Sequence, residues 1–195
     1  MLIVNALAAL PGESDFRKVD ILVKGEKIAR IVETSPPASP AASPEASPSA
    51  LEAESGDILD AGGLMLFPGA IDPHVHFDEP GFTHREDFLH GTMEAARGGV
   101  TTVIDMPCTS LPPVTSLAAL EHKLAIVEPK ALVDFAFFGG INGLDDEKTI
   151  EKGIAELSPR VVGFKCYAIS GMESFAALRP EQFAAAYARC AAAGR

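Results

Sequence analysis

Two histidines separated by one residue, His74 and His76, are the clearest chemical signal in the chain. They follow an apolar run at 64–72 that is typical of a buried strand. Because side chains alternate between the faces of a strand, both imidazoles are expected on the same face. Imidazoles in this arrangement can bind one divalent ion of the zinc type, although a histidine pair alone also fits ordinary surface or core positions.

Lys165 is the second unusual residue, because it ends an apolar run at 160–165. Partial burial there favours a neutral amine, which is a nucleophile. Such an amine can add carbon dioxide to form a carbamate, which behaves as a carboxylate and can bridge two metal ions. The simpler alternative is a lysine that extends its ammonium group to solvent.

Strands and helices alternate through most of the chain. Strands are predicted at 64–72, 100–106, 131–138 and 160–165, and helices at 86–97, 116–128, 145–157 and 180–193. Ser116 is the predicted N-cap of the second helix. Apolar strands in alternation with helices indicate a parallel sheet covered by helices.

The residues that could carry chemistry lie at the carboxyl ends of these strands. They are His74, His76, Asp105, Gly139 and Lys165. Four units also fit a doubly wound sheet, but (β/α)8 barrels carry their chemistry at this end. The expected fold class is therefore α/β, the N-terminal half of a (β/α)8 TIM barrel over 61–195. Four units make half a barrel, so we expect an N-terminal fragment or truncated product of a protein nearly twice as long.

The first sixty residues have a different pattern. Short β-branched runs at 2–4, 19–23 and 28–32 are separated by turn residues and predict a small antiparallel sheet, an accessory β-domain over 1–60. Within it, the segment 34–55 is rich in Ser, Pro and Ala, which predicts a disordered insertion in a surface loop.

Composition narrows the function further. The 195 residues are 47% hydrophobic and carry a net charge of -11 without a basic cluster, so nucleic acid and anionic membranes are not expected partners. Cys108, Cys166 and Cys190 are widely spaced, as expected of free thiols in a reducing compartment. The apolar start of the chain lacks a basic n-region and is too short to span a bilayer, so a cytoplasmic location is expected.

Several linked motifs occur in one order along the chain. They are residues 67–76, Glu79-Pro80-Gly81, the glycine-rich run 98–102 and Asp105-Met106-Pro107. Together they resemble the amidohydrolase superfamily, specifically the cyclic amidohydrolases dihydroorotase, allantoinase and hydantoinase. The resemblance extends over the whole chain apart from the insertion, and the N-terminal sheet is similar to the family's accessory β-domain.

The resemblance implies roles for three residues. In that family the two histidines bind one metal and a carbamylated lysine bridges to a second, and these roles carry over to His74, His76 and Lys165. The implied cofactors are two divalent ions, with zinc as first choice. They activate a bridging hydroxide, which attacks the amide carbonyl. The implied partners are a small cyclic amide or ureide substrate and, at full length, further copies of the chain in a homo-oligomer.

The signals for a subtype conflict. Residues 79–88 are similar to dihydroorotase, but dihydroorotases place a carboxylate-binding arginine where Asp78 stands. Cys108 likewise replaces the asparagine of a dihydroorotase motif, and it lacks an amide donor. Residues 106–113 and 163–167 resemble allantoinase, although allantoinases usually carry asparagine at the position of Asp78.

We therefore expect an allantoinase-like cyclic amidohydrolase in which Asp78 and Cys108 are candidate substrate contacts. The alternatives are a dihydroorotase of pyrimidine biosynthesis and a non-catalytic dihydroorotase-like scaffold. His74, His76 and Lys165 together favour an enzyme, because a scaffold has no need of costly polar groups at strand ends. The other histidines, at positions 84, 90 and 122, are expected on the surface.

Overall fold

The structure is a computed structural model that describes residues 1–34, 51, 56–169 and 171–195. The chain divides into two compact units, Met1–Pro68 and Gly69–Arg195. We refer to them as the sheet unit and the barrel unit. The two histidines lie just after the start of the barrel unit.

The sheet unit contains five strands. They are β1 Leu2–Ala8, β2 Arg17–Lys24, β3 Lys27–Glu33, β4 Ile58–Asp60 and β5 Met65–Leu66. The order is β3-β2-β1-β4, and β5 also pairs with β1. Strand β2 pairs antiparallel with both β1 and β3, which confirms the predicted antiparallel sheet, whereas β4 and β5 run parallel to β1.

Apolar side chains form two clusters in this unit. Ala6, Val19 and Ile21 belong to one cluster, and Leu2 and Leu22 to the other. The hairpin between β2 and β3 turns at Gly25, whose φ of 59° is the left-handed conformation that favours glycine.

Most of the predicted insertion at 34–55 lies outside the described residues. Thr34 and Leu51 are the exceptions. The Thr34 amide donates to the Lys18 carbonyl at 2.9 Å. Leu51 is buried against Leu2 and Leu22 and therefore contributes to the core.

The barrel unit alternates strands and helices as predicted. The strands are β6 Ala70–Val75, β7 Val100–Asp105, β8 Asp134–Phe137, β9 Gly139–Gly140 and β10 Phe164–Lys165. The helices are α1 Phe88–Arg97, α2 Leu117–Val127, α3 Glu147–Leu157 and α4 Pro180–Ala192, with a short 3-10 helix over Pro107–Thr109. Strands β6-β7-β8 form one parallel sheet and β9-β10 another.

The apolar run at 64–72 differs from its prediction as one buried strand. It forms two strands, of which β5 pairs with β1 and β6 pairs with β7. Pro68 separates them, and proline cannot donate to a strand ladder. Strand β6 is the edge of its sheet, so Ile71 is 63% exposed and the prediction of burial was wrong.

Helix starts in the barrel unit are fixed by side-chain caps. Asp87 caps α1, Ser116 caps α2 as predicted, and Asp146 caps α3, each accepting a hydrogen bond from a backbone amide of the first turn. The main apolar cluster contains Phe77, Phe88, Val103, Leu120, Phe137 and Leu157. This cluster packs α1 and α2 against the strands.

Two further predictions concern the whole chain. All three cysteines are free, as expected. None of the helices in the described part of the chain has the length and apolarity that a bilayer span requires.

Candidate metal centre

His74, His76 and Lys165 meet at one point. His74 lies in β6, His76 follows its last residue, and Lys165 ends β10. The Lys165 Nζ atom is 3.2 Å from His74 Nε2 and 3.2 Å from His76 Nε2. The two imidazole centroids are 5.3 Å apart. The fold thus brings the two neighbouring histidines together with a lysine that lies about ninety positions further along the sequence.

The electrostatic surroundings favour a neutral ring at His76. Burial lowers the pKa of His76, and the positive charges of Lys165 and His74 lower it further. A neutral imidazole keeps a lone pair for a metal ion. His74 is exposed, whereas His76 and Lys165 are half-buried.

The far side of the His76 ring contacts two residues of the 3-10 helix. Its Nδ1 atom is 3.4 Å from Thr109 Oγ1 and 3.8 Å from Cys108 Sγ. The Tyr167 hydroxyl donates to the same sulfur at 3.1 Å, and this bond together with burial raises the pKa of Tyr167 to about 12. Cys108 is completely buried, and its thiol contacts the Nδ1 side of the His76 ring. Contacts on the Nδ1 side orient the ring so that Nε2 faces Lys165.

A buried ion pair contacts the backbone next to His76. Asp105, at the end of β7, accepts from the Phe77 amide at 2.8 Å through Oδ1. Its Oδ2 atom is 2.6 Å from Lys123 Nζ on α2, and both side chains are at most 1% exposed. Burial raises the pKa of Asp105 to about 6, against the opposing charge of Lys123.

Sequence reasoning placed Asp105 at a strand end but missed Lys123. The signal was present in the helical spacing, because Leu120, Lys123 and Val127 recur at intervals of three and four residues. All three are buried on the same face of α2. Thr109 was also missed, because a threonine in a proline-rich loop carries no distinctive pattern.

Asp78, a predicted substrate contact, is 4% exposed and forms an ion pair with Arg85 at 3.1 Å through Oδ2. Its Oδ1 atom is buried and has no hydrogen-bond partner among the residues that the structure describes. The neighbouring Glu79 is also buried; it pairs with Lys130 and accepts from the Phe88 amide at 3.0 Å. The loop after His76 therefore holds two buried carboxylates.

Asp72 accepts a hydrogen bond from the backbone amide of His74 at 3.1 Å through Oδ1. His84, His90 and His122 are exposed, as predicted.

The donor set fits part of a zinc shell. In the described ranges no three His, Cys, Asp or Glu side chains cluster as metal ligands, so the candidate set is His74 and His76 together with Lys165. Zinc usually takes four ligands and accepts imidazole nitrogen readily. Two convergent Nε2 atoms, one on a ring with a lowered pKa, match that preference.

The fold and the site together define the class of protein. Parallel strands that alternate with helices, and that carry polar side chains at their carboxyl ends, are the construction of a TIM barrel. Residues 65–186 match the amidohydrolase family, and the chain belongs to that family.

Comparison with individual proteins agrees with this assignment. The chain is 35% identical over 167 residues to the allantoinase of Escherichia coli, covering 86% of the chain and 32% of that protein. It superimposes on the L-hydantoinase (dihydropyrimidinase) of Arthrobacter aurescens with a TM-score of 0.78 and 29% identity, over 99% of the chain and 38% of that structure. For the dihydropyrimidinase of Brevibacillus agri the TM-score is 0.73 at 24% identity, over 99% of the chain and 38% of that structure.

The chain thus spans about a third of the length of the curated relatives it matches. The fold class expected from sequence is confirmed over that part: it is the N-terminal half of a TIM barrel preceded by a small β-sheet.

Proposed function

We propose that this chain supplies one side of the active site of a metal-dependent hydrolase that opens a cyclic amide, with allantoin-like ureides as the preferred substrate class. The observation that carries the proposal is the position of Lys165 Nζ, 3.2 Å from both histidine Nε2 atoms. The 35% identity to an allantoinase supports the substrate class.

His74 and His76 would hold the metal through Nε2. Divalent ions, with zinc as first choice, would polarise the amide carbonyl and lower the pKa of the attacking water. The chain's own contribution is orientation. Thr109 and Cys108 contact Nδ1 of His76, which leaves Nε2 directed towards Lys165.

Lys165 would act as a carbamate. The amine in its neutral form attacks the carbon of carbon dioxide: a nitrogen–carbon bond forms, one carbon–oxygen π bond breaks and the nitrogen loses a proton to solvent, so a neutral group becomes an anion. An anionic side chain beside two imidazoles attracts cations, whereas an ammonium group repels them. Lys165 is half-buried, and its Nζ atom lies 5.5 Å from the ring centroid of Tyr167.

Asp78 would receive the substrate. Within the described part of the chain its buried Oδ1 has no hydrogen-bond donor, and a buried acceptor without a donor is costly. A cyclic ureide presents several N–H donors, and one of them can complete this acceptor. The buried thiol of Cys108 touches His76, which favours a role in orienting the ring over direct contact with substrate.

A dihydroorotase is the second candidate, and Arg85 is the observation that favours it. Dihydroorotases carry an arginine where Asp78 stands, and here the Arg85 guanidinium lies 3.1 Å from the Asp78 carboxylate. Its side chain is 53% exposed, so it retains donors for a substrate carboxylate.

The test is metal analysis and hydrolysis with the full-length protein. We expect about two divalent ions per subunit, as in two-metal hydrolases. The His74→Ala/His76→Ala variant should lose at least one of them. His122→Ala, which alters an exposed helix histidine, is the matched control and should keep both.

Allantoin and dihydroorotate are assayed side by side. Turnover of allantoin supports the first candidate, and turnover of dihydroorotate alone supports the second. If the double histidine variant keeps the full metal complement, the proposed centre is wrong.

A further inference from the structure

We propose that the buried pair Asp105–Lys123 is a positioning device that fixes the backbone around His76 and so sets the direction of its Nε2 atom. The inference rests on the proposed function, because it gives the pair a role in metal binding. Among the described hydrogen bonds, none joins the side chain of Asp105 or Lys123 to His74, His76 or Lys165. Both act through the backbone of the loop.

Hydrogen bonds hold the chain on both sides of His76. On one side the Val75 carbonyl accepts from the Met106 amide at 2.9 Å. On the other side the Phe77 amide donates to Asp105 Oδ1 at 2.8 Å. Met106 and Asp105 are consecutive residues at the end of β7, so the end of one strand holds both peptide groups that flank the histidine.

Lys123 contacts the other oxygen of the Asp105 carboxylate. Its Nζ atom is 2.6 Å from Asp105 Oδ2, and it lies 5.9 Å and 5.6 Å from the ring centroids of Phe88 and Phe137. The Phe77 ring packs edge-on against Phe88 with centroids 5.1 Å apart. The backbone and the side chain of Phe77 are therefore held by the same aromatic cluster.

Stability alone does not explain this pair. Replacement of a buried ion pair by apolar side chains of similar volume is often neutral or stabilising, so a core of this kind has no need of a lysine. The buried Phe77 amide does need an acceptor. Asp105 supplies one, and although burial raises the pKa of Asp105 to about 6, the nearby Lys123 keeps it a carboxylate at neutral pH.

A second carboxylate–lysine pair provides a matched control. Glu79 is 3% exposed, pairs with Lys130 and accepts from the Phe88 amide at 3.0 Å. In both pairs a buried carboxylate accepts from a backbone amide, but the Lys130 side chain is 39% exposed, and the amide here is that of the first residue of α1 and not a neighbour of a histidine. Removal of this pair tests the general cost of losing a buried carboxylate in the same unit.

The experiment measures zinc binding to the metal-free full-length protein by calorimetry, together with thermal unfolding in the presence of a chelator. Asp105→Leu/Lys123→Met removes the acceptor and both charges; methionine matches lysine in volume, and leucine is larger than aspartate. Asp105→Asn/Lys123→Met removes both charges but keeps an oxygen acceptor for the Phe77 amide. Glu79→Met/Lys130→Met is the control.

We expect Asp105→Leu/Lys123→Met to weaken zinc binding about tenfold or more, the usual effect of losing a group that orients a metal ligand. Its unfolding temperature should fall no further than that of the Glu79→Met/Lys130→Met control, which likewise loses the acceptor of a buried amide. Asp105→Asn/Lys123→Met should recover most of the affinity, and the control should bind zinc as the wild type does. Hydrogen exchange of the Phe77 amide should be faster in the leucine variant than in the asparagine variant.

Three results would overturn the proposal. They are wild-type zinc affinity in the leucine variant, an equal loss in the control, and equal protection of the Phe77 amide in both Asp105 variants. If the leucine variant does not fold, Asp105→Ala/Lys123→Met takes its place with the same expectations. Absence of zinc binding by the wild type would instead overturn the proposed function, and this inference with it.

Discussion

The sheet unit and the barrel unit differ in what they bury. Among the described residues, the sheet unit holds one buried charged side chain, Asp20, whereas the barrel unit holds four: Asp78, Glu79, Asp105 and Lys123. Asp78 and Glu79 lie in the loop after His76, and Asp105 accepts a hydrogen bond from the Phe77 amide of that loop. Burial of a charged side chain costs free energy. Most of this cost therefore falls in the barrel unit, close to the candidate metal centre.

The single buried charge of the sheet unit has a local explanation. Asp20 accepts from the amide of Asn5 at 2.9 Å. Asn5 has a φ of 60°, an uncommon conformation for a residue other than glycine, and the register of β1 shifts between Ile3 and Ala6. Asp20 thus satisfies an irregular strand, whereas Asp105 of the barrel unit satisfies the backbone next to His76.

The largest expected effect lies in the barrel unit, at Lys165. Lys165→Ala should slow turnover of the cyclic amide roughly a hundredfold or more, the scale of losing one preorganised electrostatic contact. A short carboxylic acid added to Lys165→Ala should restore part of the activity, since it replaces the carbamate oxygens. Steady-state kinetics with and without the acid provide the measurement.

Lys165→Arg is the matched variant for this prediction. Guanidinium remains a cation and cannot form the carbamate, so added acid should not restore its activity. Near-normal turnover by Lys165→Arg would show that the lysine only extends to solvent. In both variants the unfolding temperature should change little, because Lys165 is only half-buried.

The opposite pattern is expected for a core residue of the sheet unit. Leu22 is 1% exposed and contacts Leu2 and Leu51. Leu22→Ala should lower the free energy of unfolding by about 2–5 kcal/mol, because it removes buried methyl groups and leaves a cavity. Chemical denaturation measures this change, and zinc affinity is measured on the same sample.

Zinc affinity should stay within about twofold of the wild type in Leu22→Ala, since the substitution changes no group near the histidines. If it fell as far as in Asp105→Leu/Lys123→Met, the functional distinction between the two units would be wrong. Unchanged stability would instead show that this cluster contributes little to folding.

Features that follow from the local sequence pattern were predictable. His74, His76 and Lys165 were found because each ends or follows an apolar run, and strand periodicity places such residues at one edge of a parallel sheet. The caps of helices follow local rules, so Ser116 was predicted correctly. Strand lengths were less predictable, because the run at 160–165 forms a ladder only over Phe164–Lys165.

Long-range polar partners were not predictable. The ion pair of Asp105 with Lys123 joins a strand to a helix, and only the buried face of α2 gives a hint of it. The split of 64–72 into β5 and β6 depends on two different partner strands, β1 and β7. Local sequence does not encode which strand a segment pairs with.

The smallest expected effects concern exposed carboxylates, where the two units should behave alike. In the sheet unit, hydrogen bonds from the Asn5 side chain and the Gly62 amide lower the pKa of Asp60. In the barrel unit, the Thr149 amide lowers the pKa of Asp146, the cap of α3. In both cases the folded state prefers the ionised form.

The sign of the pH dependence follows from this preference. A carboxylate whose folded pKa lies below its ordinary value of 3.8 stabilises the protein above that value, and the stabilisation is lost as the pH falls through the lowered pKa. Asp60→Asn and Asp146→Asn keep an oxygen acceptor but carry no charge. Each variant should therefore unfold at a slightly lower temperature than the wild type at neutral pH, and the difference should vanish in acid. Thermal unfolding followed by circular dichroism from neutral pH down to about pH 3, below the ordinary aspartate pKa, tests both at once. A deficit that persists in acid for one variant only would mean that the units differ at their surfaces as well as in their buried groups.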